Sequence, residues 1–148
     1  MISRLSIRYL VISFIATAVV AVLIQLSLLS LLERNQGLLA GAALVAGWWG
    51  NLATAGTVAI LAARKSAEGF TDPRLGRLLG LSIGVWVGVG AIAGLVASAL
   101  ILNNQVPNAS IRPGLIVVFG LVSMLVCLIA GALAGREAAQ PPESEEEA

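Results

Sequence analysis

Histidine is absent from the 148 residues, and cysteine and lysine occur once each, as Cys127 and Lys65. A single cysteine excludes an intrachain disulfide, and without imidazole there is no thiolate or histidine set for zinc or for a histidine-held haem. The same absences remove serine–histidine and cysteine–histidine nucleophiles, and no glycine-rich phosphate loop is present. Charge is scarce as well. Only 11% of the residues are Asp, Glu, Lys or Arg, against about a quarter in a soluble domain. The net charge of +1 supplies no basic field for nucleic acid, which is excluded as a partner.

What remains is 58% hydrophobic and falls into four long apolar runs. A hydrocarbon core about 30 Å thick needs roughly 20 apolar residues in a helix, because unpaired backbone groups are too costly in lipid. Four segments meet this without one charged side chain: 9–32, 38–63, 78–102 and 114–134. The sequence therefore predicts an all-α, polytopic membrane protein, a bundle of four transmembrane helices forming one domain over 1–135. Asp72-Pro73 reads as an N-cap followed by a first-turn proline, and Arg112-Pro113 repeats the proline for the last span. Arg64 and Lys65 close the second span, where cations meet the negative pole of the helix dipole.

The cation bias orients the chain. With the N-terminus inside, Arg4, Arg8, Arg64, Lys65, Arg74, Arg77 and Arg136 face the cytoplasm, and only Arg34 and Arg112 lie outside. Both termini are thus expected on the cytoplasmic side of the inner membrane. The prokaryotic assignment rests on an arginine-, alanine- and glycine-rich composition. The first span, at 24 residues, is too long for a cleavable signal and reads as a retained anchor. Asn108-Ala109-Ser110 fits a glycosylation triplet but reads as chance in a bacterium, and the acidic stretch 136–148 is expected to be disordered.

Between helices in lipid there is little hydrophobic drive, so close approach depends on small side chains and interhelical hydrogen bonds. Every span carries small or short polar residues at four-residue spacing, which places them on one face. In the third span they are Gly76, Gly80, Gly84 and Gly88, with Gly90, Gly94 and Ser98 on a second face. In the second they are Ala43, Gly47, Asn51, Ala55, Ala59 and Ala63; in the first Ser13, Thr17, Ala21 and Gln25; in the last Ser123, Cys127, Gly131 and Gly135. These faces are the expected helix-packing or partner surfaces. Two glycine faces on one helix can serve a neighbour within the chain and a separate subunit, or equally two helices of the same bundle.

Gln25 and Asn51 are the strongest polar groups inside the spans and read as interhelical hydrogen-bonding residues. Trp48 and Trp49 lie close to the middle of the second span and Trp86 well inside the third, whereas tryptophan ordinarily sits at the membrane interface. Adjacent residues on a helix point about 100° apart, so at least one of the pair must face lipid, a hydrophobic ligand or another subunit. A lipid, quinone or pigment is the ligand class such indoles would suit; no cofactor or metal is otherwise implied. No ionisable side chain stands in a span to carry a proton or ion. An enzyme would have to use the loop carboxylates Glu68 and Asp72, which have structural explanations.

The expectation is a non-catalytic accessory or scaffold subunit of a respiratory, photosynthetic or transport-type membrane complex, with lipids and other subunits, or itself, as partners. The alternative is a homo-oligomeric channel or carrier for a neutral or hydrophobic solute, lined by Gln25, Asn51, Thr54 and Ser123.

Overall fold

A computed structural model describes residues 2–31, 36–105 and 113–139, and the chain there is four helices: α1 (Ile2–Leu31), α2 (Gln36–Ala67), α3 (Pro73–Gln105) and α4 (Pro113–Ala138). All four are long and apolar enough to cross a membrane. At about 1.5 Å per residue they measure roughly 39 to 50 Å, so their ends outreach the hydrocarbon core. The stretch expected as tail begins later than the sequence suggests, because the α4 hydrogen-bond ladder carries Arg136, Glu137 and Ala138 as its last turn. Arg34, Arg112, the triplet at 108–110 and the acidic run after 139 lie outside the described residues, as does the Ala43 side chain.

Local chemistry explains the turn between α2 and α3. Gly69 takes φ +129°, a conformation that a side chain would disfavour, and the Phe70 amide donates to the Ala67 carbonyl at 3.1 Å. Asp72 then caps α3: its carboxylate accepts from the Arg74 amide at 2.9 Å, and its carbonyl accepts the first helical bond from the Gly76 amide at 3.1 Å.

In cross-section the bundle is a rhombus. α2 and α3 touch along the short diagonal, and α1 and α4 lie on opposite sides of that pair, each in contact with both. Among the described residues α1 and α4 do not meet. α3 is the most enclosed helix, with 56% of its span buried against 22% for α1 and for α4. Its position follows from what covers it. A Cβ built on Gly76 or Gly80 would overlap the backbone of Gly135 or Gly131, and the reverse holds from α4. At Gly84 it would stand 2.6 Å from the Cys127 carbonyl oxygen. The second row, Gly90 and Gly94, faces α1: a Cβ on Gly90 would be 2.6 Å from the Leu10 carbonyl oxygen, and one on Gly94 would overlap the Thr17 hydroxyl.

Both glycine faces of α3 are thereby occupied within the chain. α1, running parallel to α3, fills the Gly90–Gly94 face, so both faces meet helices of the same bundle, one of the two arrangements expected. The described members of the rows on α1, α2 and α4 are buried too, from Ser13 to Gln25, from Gly47 to Ala63 and from Ser123 to Gly135.

Candidate functional site

Hydrogen bonds and contacts set the helices in register. Tyr9 Oη and Ser66 Oγ lie 3.1 Å apart, joining the start of α1 to the end of α2. Arg64 Nη2 donates to Glu137 Oε2 at 3.4 Å, joining α2 to the end of α4. Gly76 lies against Gly135 and Ala139. Arg8, Arg64, Lys65, Arg74, Arg77 and Arg136 therefore gather at one end of the bundle, which serves as a plane from which to measure depth.

Counting along each helix from that plane, Trp86 lies nine residues from Arg77, or about 14 Å, which is half the thickness of a hydrocarbon core. Trp49 lies fifteen residues from Arg64, or about 22 Å, and Trp48 about 24 Å. Trp48 and Trp49 stand two to four residues from the midpoint of α2, and Trp86 three residues from that of α3.

Farther from the basic plane lies a layer of polar side chains. Gln25, Asn51 and Ser123 are almost wholly buried there, about 20 to 26 Å from the basic plane on three different helices. The contacts agree with that register. A Cβ on Gly47 would strike the Gln25 side chain at 2.6 Å, Asn51 follows one turn along α2, and Trp48 packs on Phe119, one turn from Ser123. Trp48 is 0% exposed and is the largest fully buried side chain; its ring centroid is 4.8 Å from that of Phe119 at 56°. Trp49, 60% exposed, meets the same phenyl edge-on at 6.3 Å, so the two indoles divide between core and exterior as their 100° separation requires.

Two of these helices hold α3 on successive turns. Asn51 Nδ2 donates to the Ala91 carbonyl at 3.2 Å, and Ser13 Oγ donates to the Val87 carbonyl at 2.8 Å. Thr17, Thr54 and Ser98 donate to carbonyls of their own helices. Among the described residues, four buried side-chain polar atoms have no hydrogen-bond partner: Gln25 Nε2, Trp48 Nε1, Asn51 Oδ1 and Ser123 Oγ. All four belong to the far layer. Gln25 and Asn51 were legible in the sequence, but Phe119 was not, because an isolated phenylalanine in an apolar run carries no signal until its neighbour is known. Cys127 is buried in the α3–α4 seam beside Gly84, a small side chain in a packing row.

Trp86 differs from the other indoles. It is 37% exposed on the outward face of α3, flanked at helical spacing by exposed Ser82, Val89 and Ala93. The outward face of α4 is instead built from Leu121, Leu125, Ile129 and Leu133. No family model matches the chain, and comparison with curated proteins and with solved structures finds no match.

Proposed function

We propose that the chain is a non-catalytic accessory or scaffold subunit of a larger membrane protein complex in the cytoplasmic membrane of a prokaryote, with both termini on the cytoplasmic side. The basic end of the bundle then faces the cytoplasm, in accord with the bias of Lys and Arg. In this reading the glycine faces bind the four helices to one another, and the assembly contact is the outward face of α3. The carrying observation is Trp86: a part-exposed indole at mid-depth whose N–H has no acceptor in hydrocarbon, set among side chains short enough to admit a second helix. A photo-crosslinking amino acid at position 86, activated in native membranes, is expected to capture another polypeptide. Crosslinks to lipid alone would contradict the reading.

A second reading is favoured by the four unpartnered atoms of the far layer. Buried polar groups without partners are costly, and a small neutral solute passing between Gln25, Asn51 and Ser123 would supply them. This predicts flux in liposomes holding only this protein, reduced by Asn51→Leu; leakage no greater than in empty liposomes removes it.

A further inference from the structure

Between α2 and α4, at the basic end, a groove of about 390 Å³ opens to the outside of the bundle. Its wall is Ile60 on one side and Val126, Ile129, Ala130 and Leu133 on the other, and its only charged residues are Arg64 and Glu137 at one end. The polarity is that of an amphiphile. Along α4 the groove runs eleven residues from Glu137 to Val126, or about 17 Å, close to one leaflet of a core about 30 Å thick. A polar mouth at the level of the clustered arginines and an apolar trough one leaflet deep are the dimensions of a single acyl chain below its headgroup.

We propose that this groove is a binding site for a phospholipid with an ethanolamine headgroup, its acyl chain in the trough and its phosphate on Arg64. The mouth carries both signs side by side: Arg64 and Glu137 are 3.4 Å apart, and their side chains are 56% and 64% exposed. The guanidinium offers donors to a phosphate in the fork geometry that suits it, and the Glu137 carboxylate accepts from a primary ammonium. A headgroup without an ammonium would compete with Glu137 for Arg64 and offer the carboxylate no donor in return, so the Glu137 position selects the zwitterion. The site stands apart from the Trp86 face and does not depend on the assembly proposed for it.

The test uses the full chain, exchanged into nanodiscs of equal phosphatidylethanolamine and phosphatidylglycerol, released into mild detergent and weighed by native mass spectrometry. One retained phosphatidylethanolamine per chain is expected. Arg64→Gln should lower the bound fraction about tenfold, the scale of one lost charge-assisted bond. Glu137→Gln should abolish the discrimination, so that both lipids are retained alike. Both side chains are exposed, and circular dichroism of each variant verifies that the bundle is intact. Glycerophosphoethanolamine, which lacks acyl chains, should not be retained. Absence of a lipid adduct, retention indifferent to Arg64→Gln, or a phosphatidylglycerol preference that Glu137→Gln leaves unchanged would each overturn the proposal.

Discussion

Near the basic end α3 and α4 meet backbone to backbone at Gly76, Gly80, Gly131 and Gly135, whereas about 20 Å further along the seams of α4 are filled by large side chains. The change is progressive. Gly84 faces the Cys127 carbonyl, Gly88 faces the Met124 thioether, and a Cβ on Gly120 would meet only the Ile92 side chain, at 3.6 Å. α4 thus leans toward α3 at one end and away from it at the other. On its α2 side it leaves the open groove beside Arg64 at the basic end, while Trp48 and Phe119 close that seam further on. Along α4, one end is defined by volume it cannot accept, the other by volume it cannot lose. The orphaned polar atoms of the described residues, on Gln25, Trp48, Asn51 and Ser123, lie at the level of the second region.

That contrast is open to attack from both sides. The largest effect is expected from Trp48→Ala, which empties the biggest buried side chain and should lower stability in detergent by about 3–5 kcal/mol in a thermal or denaturant titration. Gly80→Ala should cost about 1–3 kcal/mol, despite alanine's better helix propensity, because its methyl would enter the Gly131 backbone. A stabilised Gly80→Ala protein would show that the two helices are not in contact there. Asn51→Leu gives up the bond to Ala91 and also removes an orphaned oxygen, so a loss of only about 0.6 kcal/mol is expected in the same assay. The smallest cost belongs to Gly56→Ala, whose methyl would sit at ordinary contact, 3.5 Å from Val126, so that alanine's helix propensity should leave stability unchanged or raise it by up to about 1 kcal/mol. Equal costs at Gly56 and Gly80 would erase the distinction between the seams.

The four helices were legible because lipid admits so few structures, and the buried rows because only small residues at four-residue spacing let backbones approach. Ser13, Thr17, Ala21 and Gln25 show this well: their spacing alone places them on one face, and that face is buried. Which row meets which helix was not legible. Gly90 and Gly94 face α1 because the bundle is rhombic, a property of all four helices that no single span encodes. The Arg64–Glu137 pair was missed for a related reason, since Glu137 belongs to α4 only once the helix is seen to outrun its apolar segment.

The central claim is that a self-contained bundle offers its Trp86 face to another subunit. It is tested most directly by mild-detergent extraction from native membranes, native gel separation and mass spectrometry of whatever migrates with this chain. Named subunits at fixed stoichiometry, lost when Trp86 is replaced by Leu, are the predicted result; migration of the chain alone or only with copies of itself would contradict the claim.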